Sequence, residues 1–230
     1  IRKEYPLIEV NNLETFEIRM DKGTPETIRD TKKAWHFFTA DRNWGAVVEQ
    51  NQILVHTKSY TRFNQFAERV EYLLRAMQQS IQPSHYIGSS IRYIDLVAPE
   101  SGEKLSDYLS DHMFLRQIDG VAGHQVDAIS ASSFKTSQGE LAVRCWLNPA
   151  QPLPPDVSAL AHAMKFEIKR PANDFAVLDT DHNELTGDPK EFDISRIINV
   201  LDSLHQVSRK VFEGIPTQHA FDVWQPENRK

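Results

Sequence analysis

The chain has 230 residues, 40% of them apolar and 25% charged, and 32 acidic against 26 basic side chains give a formal charge of −6. That is ordinary globular composition, enough for one large domain or two small ones packed closely, and it excludes fibrous classes. No apolar run approaches the roughly 20 residues needed to cross a bilayer, and the densest basic clusters (Arg29, Lys32, Lys33 and Lys165, Lys169, Arg170) are short and mixed with acids, which argues against a nucleic-acid stripe.

In chain order, residues 5–20 are expected to be an extended lead-in followed by a strand, because Phe16 and Ile18 alternate with charged neighbours. Residues 21–31, with Gly23 and Pro25, are expected to form a loop or a short helical turn. Strands are expected at 33–40, 45–49 and 52–58, joined by short turns carrying Asp41, Asn43, Asn51 and Gln52. Such turns suit hairpins, so this stretch reads as an antiparallel meander. Residues 61–81 predict an amphipathic helix, with Phe63, Phe66, Val70, Leu73, Leu74, Met77 and Ile81 on one face and Pro83 just beyond.

Residues 86–97 then predict a strand, 105–115 a short helix, 121–135 a long strand of small residues, 137–140 a hairpin turn and 141–147 the return strand. A proline-rich connector at 148–155 leads to a short helix at 158–164 and a strand at 175–181. The best-patterned stretch is 192–212, where Ile194, Ile197, Ile198, Leu201, Leu204, Val211 and Phe212 make one apolar stripe. Asp193 suits its N-cap, and Gly214 and Pro216 its stop. The expected fold class is α+β: antiparallel meander sheets covered on one face by two long amphipathic helices. Two similar halves, 1–99 and 100–230, would pack as one compact unit, although no residue-level repeat connects them.

The series PLIEV, WHFFTADRNWGAVVEQNQILVHTKSYTRFNQFAERV, SSIRYIDLVAPE with LSDYL, LDTDH, and LDSLHQVSRKVFEGIPT resembles a sporadically distributed bacterial family of uncharacterised proteins. That family's strand motif is Arg-Tyr, an aliphatic residue, then Asn; Arg92, Tyr93 and Ile94 fit it and Asp95 departs from it. The resemblance brings no activity with it. A patchy distribution implies optional genes, such as phage-defence or toxin-neutralising loci, an association rather than a mechanism.

Two acid–histidine groups carry the most suggestive chemistry: Asp179, Asp181 and His182 at a strand end, and Asp202 with His205 on one face of the last long helix. Were that helix to lie over the strand, the five could hold Zn²⁺, Mn²⁺ or Fe²⁺ and activate water for hydrolysis of a phosphoester or nucleotide. Their spacing matches no strong zinc signature. The competing reading is structural, with His205 beside the apolar stripe and Asp202 a buried acceptor.

In a strand, residues 92, 94 and 96 share one face and 93 and 95 the other. Arg92 among apolar neighbours needs a carboxylate, Asp179 or Asp202. Alternatively it faces a cleft and holds an anionic ligand bidentately, with Tyr93 and Asp95 as neighbouring binding residues. The remaining histidines are scattered, and there is no G-x-S-x-G, P-loop, G-x-G-x-x-G or C-x-x-C. Ser130 to Phe134 read as small side chains allowing close backbone or partner approach rather than as a nucleophile site. Trp224, in the tail, suits an anchor for another chain.

The single cysteine, Cys145, lies in an apolar strand-like run, forbids an internal disulfide and fits a reducing, cytoplasmic setting. The start carries no secretory signal pattern. The sequence is therefore read as a non-enzymatic interaction module with a protein partner, compatible with a homo-oligomer, without a membrane span and without a cofactor. A metal-dependent hydrolase using a divalent ion, and a binder of a small anionic ligand, are the alternatives.

Overall fold

The computed structural model describes residues 1–21, 24–114 and 126–224, with the side chains of 13–30 and 185–186 left aside. The backbone divides into two units, Ile1–Ala76 with Ala159–Glu167, and Met77–Ser158 with Ile168–Lys230.

In the first unit, β1 (Leu7–Asp21), β2 (Thr24–Phe38), β3 (Trp44–Val48) and β4 (Ile53–Thr57) form an antiparallel sheet in chain order. Residues 24–31, expected as loop, are strand: every one pairs with β1, from Asp21↔Thr24 to Glu14↔Thr31. Pro25 lies inside β2, paired with Met20. Pro25 is tolerated because β3 pairs only with Trp35 to Phe38 of β2, so no ladder bond is asked of it on that side.

Helix α1 (Phe63–Ser80) buries Phe63, Val70, Leu73 and Leu74 of the expected stripe, with Leu73 against Tyr5, Trp44 and Ala46, while Ile81 lies beyond its end and is exposed. On the opposite sheet face His56 lies over Gly45, and a Cβ at position 45 would come 2.4 Å from His56 Cε1. His56 Nδ1 meets Met164 Sδ at 2.9 Å. Loss of water lowers the imidazole's pKa to about 4, the nearby His36 adding to the effect. Below the unfolded value of about 6.5, the unfolded chain binds this proton more readily than the folded one. The neutral ring's contribution to stability is therefore lost as pH falls from about 6.5 toward 4.

In the second unit, β5 (His85–Val97), β6 (Ala128–Lys135), β7 (Glu140–Leu147) and β8 (Ala176–Glu191) form an antiparallel sheet in the order β5-β8-β7-β6. The last strand is thus inserted between the first and the third, which is not a meander. β5, assigned from sequence to the amino-terminal half, pairs along its length with β8 and belongs to this sheet. β8 runs ten residues past its expected end at 181, because its polar continuation pairs with β5. A bulge carries the pairing from Tyr86↔Lys190 to Gly88↔Leu185, and Gly187 supplies the left-handed backbone there with φ 74°.

Helix α4 (Ile194–Gly214) buries Ile194, Ile197, Leu201 and Leu204. Asp193 Oδ1 accepts the Arg196 amide at 3.0 Å, as its N-cap. Val207 and Val211 pack on the cluster that includes the strand residues Leu141, Val143, Cys145 and Leu178.

The expected helix at 105–115 is two shorter pieces, α2 (Leu105–Tyr108) and a 3-10 turn (Asp111–Met113). It breaks because Leu109 bridges to Pro216 and the Ser110 amide donates to Ile215 O at 3.0 Å. Helix α3 (Pro155–Ala163) starts three residues earlier than expected, with Pro155 at a first-turn position that needs no amide. Helix α5 (Gln218–Trp224) was not expected; seven residues are too few for periodicity to reveal. Of the long strand expected at 121–135, residues 121–125 lie outside the described residues.

Replacing Gly45 by Ala forces its methyl against the His56 ring, with Phe38 Cδ1 also only 3.1 Å away. The variant is expected to lose about 1–3 kcal/mol in urea unfolding, the usual range for overpacking. The double variant Gly45→Ala/His56→Ala should show less than the sum of the two single losses, since removing the ring removes the clash.

Candidate functional site

The pleat of β8 sends Asp179 and Asp181 to one face of the sheet and Leu178, Thr180 and His182 to the other. On the first face Asp179 is fully buried and lies between two cations. Arg92, from β5, donates Nε to Asp179 Oδ1 at 2.8 Å and Nη2 to Oδ2 at 2.9 Å. Arg144, directly opposite on β7, donates Nη1 to Asp179 Oδ2 at 3.0 Å. The first turn of α3 adds Asp156, which accepts from Arg92 Nη1. All three guanidinium nitrogens of Arg92 therefore meet carboxylates, and its pKa is raised, chiefly by the hydrogen bonds to Asp179. The same bond from Arg92 lowers the pKa of Asp156. Asp181, beside this group, has its pKa raised mainly by desolvation, with Asp179 adding to the shift and Arg92 opposing it.

On the opposite face His182 is fully buried. Its Nδ1 donates to Leu204 O at 3.0 Å, and its Nε2 is hydrogen-bonded to Thr136 Oγ1 at 2.9 Å. This histidine ties the strand both to α4 and to the β6–β7 turn. Tyr93, from β5, shares a 2.8 Å hydrogen bond between its hydroxyl and His205 Nδ1, and desolvation lowers the His205 pKa. Asp95 projects to this face too, where desolvation raises its carboxyl pKa to about 6.

The structure brings Arg92 to Asp179, not to Asp202. Asp202 is exposed on α4, with Gln206 Nε2 3.4 Å away. The five residues considered for metal do not converge: Asp179 and Asp181 stand on one side of the sheet, His182 and His205 on the other. Among the described residues no group of three or more His, Cys, Asp or Glu is placed to hold a metal ion. An anion approaching Arg92 would have to displace Asp156. Trp224 stacks on Phe212, with ring centroids 6.2 Å apart, and is about one-third exposed. Cys145 is buried, and desolvation raises its thiol to about 11.

An open groove of about 520 Å³ between the β6–β7 turn and the start of α4 is lined by Gln138, Glu184, Asp193, Arg196 and Asn199, and by none of the candidate residues. Sequence reasoning missed Arg144 and Asp156. Arg144 had a signal, since in LAVRCWL it alternates against Leu141, Val143 and Cys145 and so occupies the other face. No family model, curated protein or solved structure matches the chain.

Two stability measurements test this electrostatic assignment. Arg92→Ala leaves a fully buried carboxylate with one cation and is expected to lose about 3–5 kcal/mol. Asp156→Ala removes a carboxylate that is 61% exposed and is expected to lose at most about 1 kcal/mol. Equal losses would contradict the assignment. For Asp95, the folded pKa lies above the unfolded one, so the folded chain binds more protons between about pH 4 and 6. Its favourable contribution is present below about pH 4 and lost as pH rises through 6. Asp95→Asn is therefore expected to raise the midpoint of thermal unfolding above pH 6 and to give no gain below pH 4.

Proposed function

We propose that the chain is a non-enzymatic module that binds a partner protein through the β1–β2 ribbon of its first unit. The observation that carries this reading is an exposed apolar patch at the root of that ribbon. Ile8, Val10 and Trp35 are 41%, 54% and 39% exposed, Val10 is paired with Trp35, and Ile8 lies two residues along the same face. Beyond Trp35 the ribbon is two strands wide, since Thr24 to Ala34 pair with β1 while β3 begins pairing only at Trp35. A two-stranded ribbon is marginal in water by itself, and a partner laid along it would supply the missing apolar layer.

Of the polar groups that sequence offered for chemistry, Arg92 and Asp179 are engaged with each other and with Arg144 and Asp156, which supports the same reading. On this proposal the two units are similar halves, each a sheet under one long amphipathic helix, working in the cytoplasm. On the sequence resemblance we read such a module as an accessory or antitoxin-like component of a bacterial defence locus.

The test is cross-linking of the full chain at native expression in its host, comparing wild type with Val10→Asp and Trp35→Ala. One reproducible protein should cross-link to the ribbon. Its recovery should fall about tenfold or more in both variants, as for an aromatic anchor at an interface, with the thermal midpoint unchanged. A wild-type chain that stays without partners, or a partner captured equally by both variants, would overturn the reading.

A further inference from the structure

Strand β6 forms one margin of the second sheet, and among the described residues no strand pairs with its outer edge. All eight of its residues pair with β7 in unbroken register, from Ala128↔Leu147 to Lys135↔Glu140. Proteins usually protect such a margin with proline, a bulge or inward charge. The sequence AISASSFK has none of these and carries its one charge on the last residue. The margin is also apolar: Val126, Ile129 and Phe134 are 71%, 63% and 52% exposed. Alanine and serine fill the positions between Ile129 and Phe134, so another backbone can come close.

We infer that β6 pairs antiparallel with β6 of a second copy of this chain, about a two-fold axis through Ala131, giving one continuous eight-stranded sheet. Two-fold antiparallel pairing matches residues whose side chains share a face and whose amides point the same way. The two position numbers must therefore sum to an even value, which puts the axis through a residue, and the central ones are Ser130, Ala131 and Ser132. Only the axis at Ala131 sets Asp127 opposite Lys135, and it does so twice. Both side chains are exposed and free to meet their counterparts across the axis. The same register lays Phe134 over the partner's small Ala128 on the α4 side, and sets Ile129 beside Ser133 on the other. The axis at Ser130 would leave Lys135 without Asp127, and the axis at Ser132 would set Lys135 against Ile129. Charge and size thus select one register of the three. One strand pair buries less than a standard interface, so the dimer belongs to the weak class below about 1,200 Å². This inference concerns a different unit from the proposed partner site and does not rest on it.

Sedimentation velocity of the full chain over a hundredfold range of concentration is expected to show monomer passing to dimer. Asp127→Lys should weaken dimerisation about tenfold by setting like charges opposite each other at both ends, and Asp127→Lys/Lys135→Asp should recover most of that loss. Ala131→Cys, at the axis, should give a disulfide-linked dimer on mild oxidation, because paired Cα atoms lie about 4.5–5.5 Å apart. Ser132→Cys should not, since its own copy then sits on a diagonal about 7–8 Å away. The buried Cys145 lies opposite Ser130 rather than either of these positions, both of which are exposed. A chain that stays monomeric throughout, a dimer indifferent to Asp127→Lys, or cross-linking at Ser132→Cys in place of Ala131→Cys would each overturn the inference. Val10→Asp should dimerise as wild type does, so loss of the partner site and loss of the dimer are read on separate variants.

Discussion

A carboxylate with no exposure to water, Asp179, sits between two guanidinium groups, and the second unit is arranged around that fact. Removing such a charge from water is costly unless opposite charge and hydrogen bonds replace the solvent. Arg92 supplies two bonds from β5 and Arg144 one from β7. Both cations can reach the same side chain only if β8 lies between their strands. The inserted order β5-β8-β7-β6 is the arrangement that satisfies this requirement, and a meander would not. The network therefore bears more on which strands are neighbours than on the net free energy of folding, which well-packed apolar residues could supply equally well.

The other face of the same strand works by different physics. Leu178 is fully buried there, in one apolar cluster with Cys145 and with the partly buried Val207 and Val211 of α4. Area removed from water favours contact without specifying alignment. His182 adds the alignment, because its bond to Leu204 O fixes where along the strand the helix lies. That carbonyl also accepts from Ser208 Oγ at 3.0 Å, so one exposed turn of polar groups is replaced by a buried and satisfied one. A strand carrying charge on one face and grease on the other explains why both polar and apolar letters alternate in LDTDH.

Much of the fold was legible in the sequence where one physical signal dominated. The stripes of α1 and α4 and the Asp193 cap are local, and a 3.6-residue period spread over many residues leaves little ambiguity. Residues 24–31 and 182–191 were not legible as strand, because their polar composition is that of a loop and only pairing with β1 and β5 holds them extended. The candidate site was legible in residue type but not in partnership. Arg92 clearly needed a carboxylate, yet Asp179 and Asp202 were equal in sequence, and only the register of β5 on β8 separates them. Arg144 and Asp156 stayed hidden because their importance comes from what lies across from them. Tyr93 and His205, 112 positions apart, meet only once α4 has folded back over β5.

The same distinction between faces and edges bears on function. A helix laid across a sheet satisfies its face: α1 does this over Trp44 and Ala46, and α4 does so over β5 and β8. It cannot satisfy a strand edge, whose amides and carbonyls need another strand or water. In both units apolar side chains remain outside at a sheet margin, Ile8 and Val10 on β1 and Ile129 and Phe134 on β6. The buried charge of Asp179 is matched within the chain, while the outer backbone edges and their apolar side chains are left without a match among the described residues. Both proposals therefore put contacts with other chains at these margins, where a second backbone would supply hydrogen bonds and apolar cover together.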